Sequence, residues 1–381
     1  MKRIAILVET SLASGRAIVS GISRYLDEHT HLTAFQLSGV LGAMAPKALK
    51  NWQGDGIIAR IADRKLLDLV LSKNLPTIDV LGNVTPRAFP LVKCDDHAIG
   101  ASVADHFMES GHRNFAFVGN SRVRWSKERQ AGFFARIGCS SENQTTFFFD
   151  DLSSRRTPAE DEIASLRNWL SSLTIPVGIM VASDQMAPLL FEACHQLSLS
   201  IPENVSVVGV DNDTPFCNLC QPRLSSVEPD HSQVGYLAAY SLSSLMEGKN
   251  LANPVVEIGS HNLHRRRSSD HIAIDDPAVR QALGFIREQA ANSPSLDEVA
   301  HFSGLSRSVL QRRFRLHVNR TIGETLLEEK LRLAREMLSH TALPLPMVAE
   351  RSGFGRQEYM NLIFKKHLKT TPAKYRSPKL S

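Results

Sequence analysis

Two groups of side chains in the C-terminal quarter have the chemistry to read the edges of DNA bases. The first comprises Arg307, Ser308, Gln311, Arg312 and Arg315, and the second Arg356, Gln357, Asn361, Lys365 and Lys366. Arginine pairs bidentately with guanine in the major groove, and Gln or Asn does the same with adenine. Lys365 and Lys366, with Lys369 beside them, are better suited on charge to phosphates, which position a reader without specifying sequence.

The elements that would carry these groups are legible in a repeat. Leu296-x-x-Val299-Ala300-x-x-Ser303-Gly304-Leu305 precedes the first group, and Leu345-x-x-Val348-Ala349-x-x-Ser352-Gly353-Phe354 precedes the second. Each copy is followed by a basic segment ending in Phe-x-x-His, at Phe314–His317 and Phe364–His367. The Leu-x-x-Val-Ala spacing sets three apolar groups on one helical face, and the glycine permits a sharp turn into a second helix. This predicts two helix-turn-helix motifs. In the first recognition helix Leu310 and Phe314 pack inward; in the second, Tyr359, Ile363 or Leu362, and Phe364 are the expected inward residues. Ile322–Leu338 reads as one uninterrupted helix of roughly 25 Å at 1.5 Å per residue. With its flanking turns it can hold two recognition helices about one DNA turn apart, roughly 34 Å, over tandem half-sites of a duplex.

Charge agrees with this reading. The chain has 381 residues, 43% hydrophobic and 22% charged, enough for two or three domains. Its net charge is +5, but Asp275 onward holds 18 Lys and Arg against 11 Asp and Glu, whereas the rest holds 26 against 28. The positive excess therefore sits with the repeats, as a phosphate footprint would. The five apolar residues Ile4–Val8 are too few for a secretory core, and no run reaches the length of a membrane span. Five scattered cysteines suit a reducing cytoplasm. Cys217-x-x-Cys220 lacks two further ligands nearby, so neither a metal nor any cofactor is expected.

Before the repeats, short Val/Ile-rich runs alternate with helical segments. Strands are expected at Ile4–Val8, Gly56–Ala59, Thr77–Val80, Phe115–Gly119, Val177–Val181 and Val205–Val210. Helices are expected at Gly15–Tyr25, Ile99–Ser110, Glu162–Leu173 and Met186–Gln196. The pattern predicts parallel strands covered on both faces, a doubly wound α/β arrangement with ligands outside the carboxyl ends of the strands. The expected organisation is an α/β domain over residues 1–265, a linker over 266–276 and an all-α domain over 277–381. Asp276-Pro277 supplies a cap and a first-turn proline for the opening helix. Arg265-Arg266-Arg267 is either a phosphate contact or a solvated linker. No GxGxxG, P-loop, nucleophile elbow or HExxH is present, which argues against an enzyme on this scaffold.

The segment from about Asp275 to Arg376 resembles the AraC/XylS-type transcription regulators. The resemblance rests on Ser306-Arg307-Ser308-Val309-Leu310, Leu331–Leu338, Ser352-Gly353-Phe354, Phe364-Lys365-Lys366 and Thr371–Arg376. Asn319 and Lys369 depart from it where that family usually has glycine, and Pro344 stands where a serine often caps. Nearly all of residues 1–260 resembles the type I periplasmic-binding-protein-like core of LacI/GalR regulators. That likeness is carried by Val92–Asp96, Gly111–Gly119, Glu128–Phe133, Ser183–Ala187, Val208–Asp213 and Leu224–Val227. The LacI-type N-terminal headpiece is missing, because Ile4 already begins the first strand.

The combination resembles the regulators of xylose operons, with Trp125-x-x-x-Arg129 and Arg265–Asp270 among the matching pieces. That resemblance implies a cytoplasmic, nucleoid-associated homodimer that activates transcription with RNA polymerase in response to a sugar, D-xylose being the first expectation. It implies effector contacts by Arg129 and Asp211, whose alternatives are a carboxylate pair and a turn cap. Asp184 is a further candidate or a helix cap, and Trp125 is a ring platform or packing. Ser14 and Arg16, in the first strand-helix loop, and Asp95 complete the expected pocket.

Overall fold

Runs such as Val205-Ser-Val-Val-Gly-Val and Val177-Gly-Ile-Met-Val are buried at every position, which requires cover on both faces of their sheet. The computed structural model describes residues 1–36, 46–138, 145–149, 159–259, 261–270, 274–341 and 343–376. They form two compact units, Met1–Ile272 and Ala273–Ser381.

The first unit contains two lobes. In the first lobe β1 (Lys2–Leu7), α1 (Ala13–Glu28), β2 (Leu32–Gln36), α2 (Pro46–Asn51), β3 (Gly56–Ala59), α3 (Arg64–Leu71), β4 (Thr77–Asp79) and β5 (Leu91–Cys94) follow in order. The chain then crosses to the second lobe through α4 (Asp96–Glu109), β6 (Asn114–Asn120), α5 (Arg124–Ile137), β7 (Thr145–Phe149), α6 (Ala159–Ser171), β8 (Val177–Val181), α7 (Ala187–Gln196), β9 (Val205–Val210), α8 (Thr214–Leu219) and β10 (Ser225–Pro229). It returns through α9 (His231–Met246) and β11 (Val255–Ile258), and crosses a third time to β12 (His261–His264). The sheets run β11-β5-β4-β3-β1-β2 and β12-β10-β9-β8-β6-β7. Every described pairing is parallel except β10 with β12.

The expected strands and helices are present with ends shifted by a few residues. The short strands β2, β5, β7, β10, β11 and β12 were not among those expected. The expected linker differs at its start: Ser268 and Ser269 are buried, and Ser268 Oγ donates to the Val207 carbonyl at 2.6 Å. Small hydroxyls fit against β9 there, so residues 266–269 belong to the second lobe. The neighbouring arginines serve it too. Arg266 donates to Asn212 Oδ1 at 2.6 Å and Arg265 faces Glu109. Residues 271–273 of that segment lie outside the described residues. Among the described residues no helix is long and apolar enough to cross a membrane.

The second unit is helical: α10 (Pro277–Gln289), α11 (Leu296–Phe302), α12 (Arg307–Val318), α13 (Ile322–His340), α14 (Leu345–Arg351), α15 (Gln357–Leu368) and α16 (Pro372–Arg376). It has two small cores. Val299, Leu310, Phe314 and Ile322 belong to one; Leu338, Val348, Met360 and Phe364 belong to the other. The long helix α13 contributes to both, spanning roughly 28 Å at 1.5 Å per residue. Capping boxes at Ser295–Glu298 and Thr321–Glu324 start α11 and α13. Pro344 caps α14 without a side-chain bond. Asn319 and Lys369 adopt φ of 56° and 53°, so the left-handed turn after each recognition helix persists without glycine.

The turn glycines of the two motifs are not equivalent. Both have positive φ, but a Cβ on Gly304 meets nothing within 4 Å, whereas one on Gly353 would lie 2.3 Å from the Ala290 carbonyl oxygen. Ser293 Oγ also donates to the Gly353 carbonyl at 2.7 Å, which ties the second motif to the end of α10. Gly304→Ala is expected to cost about 1 kcal/mol from backbone strain alone. Gly353→Ala should cost clearly more, and thermal unfolding of the two variants measures the difference. Equal losses would show that the Gly353 contact relaxes freely.

Candidate functional site

The three crossings bring side chains together that are far apart in sequence. Cys94–Asp96, Pro229–His231 and the β11–β12 connection lie side by side: β11 pairs with β5, and the Asp95 N–H donates to the Ile258 carbonyl at 2.9 Å. Above them opens a cavity of about 520 Å³, counted out to its open mouth, between the carboxyl ends of the two sheets.

Arg129, on α5, lies at the centre and is only 4% exposed. Its Nε donates to Asp96 Oδ1 at 2.9 Å, its Nη1 to the Ala182 carbonyl at 2.6 Å, and its Nη2 lies 3.8 Å from Asp211. The guanidinium stacks 4.9 Å from the ring centre of Trp125, one helical turn earlier. Burial would lower the Arg129 pKa, but Asp96 and Asp211 outweigh it and raise it. Asp211 also accepts from Ser183 Oγ at 3.0 Å and faces His231 Nε2 at 3.4 Å. Burial would raise its pKa; His231 and Arg129 hold it below the ordinary carboxylate range. The Asp211 backbone has φ of 103°, an uncommon conformation that aims this carboxylate into the cleft.

Lys93 forms a second buried cluster on the cavity wall. Its ammonium touches Asp96 at 3.2 Å and Glu257 at 3.3 Å, and also pairs with Glu128. Burial opposes the charge, and the carboxylates restore it. His231 completes the floor, with Cys94 Sγ 3.4 Å from its Nδ1. Burial alone would lower the imidazole pKa, but Cys94 and Asp211 push it up to about 9. The cleft thus offers fixed cations and carboxylates beside one indole, the chemistry that bonds paired sugar hydroxyls.

Of the expected effector residues, Arg129, Asp211 and Trp125 line the cavity. The others are elsewhere. Asp184 is fully buried beneath it, accepting from the Asp213 N–H at 2.8 Å and from Ser226 Oγ at 2.7 Å. Burial, with Asp211 nearby, pushes its carboxyl up to about 8. Asp95 caps α4 by accepting from the Ala98 N–H at 2.9 Å. Arg16 is held by Asp213 at 3.3 Å and by the carbonyls of Thr10 and Ser11. Ser14 is buried and accepts from Arg60, which does face the cavity. Arg60, Lys93, Asp96 and His231 were absent from the expected set. Lys93 and Asp96 lie within Val92–Asp96, a piece that carries the resemblance, but spacing alone does not mark them as cleft residues; three of the four stand at lobe crossings.

Two contacts bridge the mouth of the cleft. Asp213 of the second lobe accepts from the Ala13 N–H at 2.9 Å as well as from Arg16. Asn83 Oδ1 of the first lobe accepts from the Arg124 N–H at 2.8 Å.

In the second unit, Arg307, Ser308, Gln311, Arg312 and Arg315 are all exposed along α12, while Leu310 and Phe314 are buried. Arg356, Lys365 and Lys366 are exposed on or before α15, and Gln357 and Asn361 are half-buried on its flank. The expected inward set needs correction there. Met360, Ile363 and Phe364 enter the core, whereas Tyr359 and Leu362 are 47% and 62% exposed. Three consecutive apolar residues, Leu362-Ile363-Phe364, cannot all face one side of a helix, and Phe364 with Met360 four residues earlier sets the inward direction. Arg313 points the other way, to Asp276 at 3.3 Å.

The pKa shifts give the first unit a defined pH response. His231 has a folded pKa raised above its unfolded value near 6.5, so its stabilisation is complete below about pH 6.5 and is lost as pH rises through 9. Asp184 acts in the same direction: its unfolded carboxyl ionises from about pH 4, while the folded one resists until about 8. Denaturant titrations between pH 6 and 9 should show falling stability, with a shallower fall that ends near pH 8 in His231→Gln. A wild-type profile that rises over this range would contradict both assignments.

Comparison with known proteins covers the whole chain. Family profiles match residues 3–94 as a XylR N-terminal domain, 104–269 as a periplasmic binding protein-like domain and 299–377 as a helix-turn-helix domain. The xylose operon regulatory protein of Escherichia coli (strain K12) is 29% identical over 98% of this chain and 96% of its own length. That of Haemophilus influenzae is also 29% identical, over 98% of both chains. The solved structure of a xylose-binding transcription activator, XylR, superposes with a TM-score of 0.83 at 28% identity over 98% of this chain and 97% of that one. A cellobiose-bound regulator, CelR, shares the fold over 70% of this chain, with a TM-score of 0.57 at 18% identity. A cleft between two α/β lobes and two helix-turn-helix motifs stand on one polypeptide, and the chain, a sugar-responsive transcription regulator, is similar along nearly its full length to the xylose operon regulators.

Proposed function

We propose that this regulator activates a pentose-catabolic operon and that its effector is D-xylose. The observation that carries the effector reading is the convergence of Arg129, Asp211 and Trp125 in one cavity at the lobe crossing. The relatives named for xylose support the choice of sugar. Arg129 and Asp211 bond adjacent ring hydroxyls, Trp125 covers an apolar edge of the sugar, and Lys93, Asp96, His231 and Arg60 complete the contacts. A sugar held by both lobes binds the closed form better than an open one, and that differential affinity shifts the equilibrium. The effector module ends near Asp270, a short segment follows, and α10 begins the DNA-binding domain. The regulator works in the cytoplasm at the nucleoid, as a homodimer on tandem half-sites beside RNA polymerase.

A thermal-shift series with D-xylose, L-arabinose, D-ribose and D-glucose tests the effector. Xylose at 100 times its Kd should stabilise the chain by about 2.7 kcal/mol. Asp211→Asn should abolish that shift, since Arg129 keeps Asp96 as a partner while the sugar loses a charged acceptor. A larger response to another sugar would replace xylose as effector; a variant that responds like the wild type would remove Asp211 from the site.

The reading helices generate a second prediction. Arg312→Ala should weaken binding more broadly than Asn361→Ala, on specific and random duplexes alike, because it removes a charge that attracts any duplex. Asn361→Ala should mainly relax sequence preference. Electrophoretic titrations on both kinds of duplex measure the split, and equal losses for Asn361→Ala would refute it.

A further inference from the structure

The two recognition helices present different chemistry at the same place. Aligning Phe314 with Phe364 and His317 with His367 pairs Ser308 with Glu358, Arg312 with Leu362 and Arg315 with Lys365. In α15 the buried residues Met360, Ile363 and Phe364 define the inward side. At 100° per residue, Glu358, Leu362 and Lys365 stand on the side opposite them. Leu362 is 62% exposed at that outermost position. Leu316 in α12 is more exposed, at 77%, but it lies in the last turn, where α15 carries Lys366.

We propose that Leu362 is a specificity residue that reads the 5-methyl group of a thymine in the half-site bound by α15. The proposal rests on the DNA-binding reading of the second unit and deepens it. Thymine is the base that offers an apolar group in the major groove, and an aliphatic side chain is its complement. The surroundings favour DNA over a protein partner. Beside Leu362 stand the exposed charged residues Glu358, Lys365 and Lys366 and, three positions earlier, the half-exposed Tyr359, a pair of apolar side chains among charges and not the broad apolar core of a protein interface. Lys365 and Lys366 complement phosphates on either side of a groove. The tandem site is therefore asymmetric. The α12 half presents the charged Arg312 at the position where the α15 half reads thymine through Leu362.

The test begins with selection of tight-binding duplexes from a random pool by the full chain in the presence of D-xylose, repeated without it. Each thymine of a selected duplex is then replaced in turn by deoxyuridine, which removes only the methyl group. One thymine should show a loss of about fourfold, the worth of one buried methyl. The loss should vanish in Leu362→Ala and persist in Leu362→Met. Leu362 is exposed, and alanine suits a helix, so the variant should stay folded. Selected duplexes in which no thymine responds, or in which the response is unchanged in Leu362→Ala, overturn the proposal while leaving DNA binding intact. A Leu362→Ala protein that binds and selects like the wild type but fails to activate transcription overturns it in favour of a protein contact. If no sequence is enriched under either condition, the DNA-binding reading fails with it.

Discussion

A guanidinium buried at the point where two lobes cross is the constraint on which the first unit depends. Arg129 cannot be left there unpaired, since removing one member of a buried ion pair costs about 3–5 kcal/mol. Asp96 and Asp211 must therefore be brought to it, one from the start of α4 and the other from the end of β9. Meeting that demand orders the crossing segments. Asp96 draws in Lys93, Lys93 gathers Glu128 and Glu257, and Asp211 holds His231. Charges that satisfy one another in this way are already oriented when a polar ligand arrives. At the proposed effector site, that preorganisation spares a sugar much of the cost of side-chain ordering.

The second unit solves a different problem. Each helix-turn-helix has too little apolar surface to stand alone, and both lean on α13, which supplies Ile322 to one core and Leu331, Ala334 and Leu338 to the other. Arg287 and Arg332 meet Glu329 near the middle of that helix, so a charged joint lies between two apolar ones. The contact of Ser293 with Gly353 adds a second tie between the motifs. A shared rigid helix is what allows two small readers to keep one spacing. Their outward faces remain free to diverge because the cores constrain only the inward positions.

Much of this was legible beforehand, for reasons specific to particular residues. Repeated Leu-x-x-Val-Ala and Ser-Gly units announce the motifs, since helix period and turn glycine are local properties. The left-handed turns at Asn319 and Lys369 show that a missing glycine shifted the cost of a turn and not its shape. Tyr359 was expected inward and Ile363 could not be told from Leu362, because several apolar residues in succession leave the helical phase ambiguous. Asp184 was misread for a related reason. A carboxylate just past the end of a buried strand can point up into a cleft or down into the lobe, and the hydroxyl of Ser226 and the N–H of Asp213 decided for the latter.

From the sequence alone follow the class of each domain, the charge division and the positions of the two helix-turn-helix motifs, because each depends on neighbours within a few residues. Arg129, Asp211 and Trp125 were also within reach, through resemblance rather than through spacing. The membership of the cleft belongs to the tertiary structure. Lys93 and Asp96 come from one crossing of the chain and His231 from another, and only the side-by-side packing of those crossings brings them to one cavity. Long-range packing also fixed which carboxylates stay charged, since burial and partners, not residue type, set Asp211 low and Asp184 high.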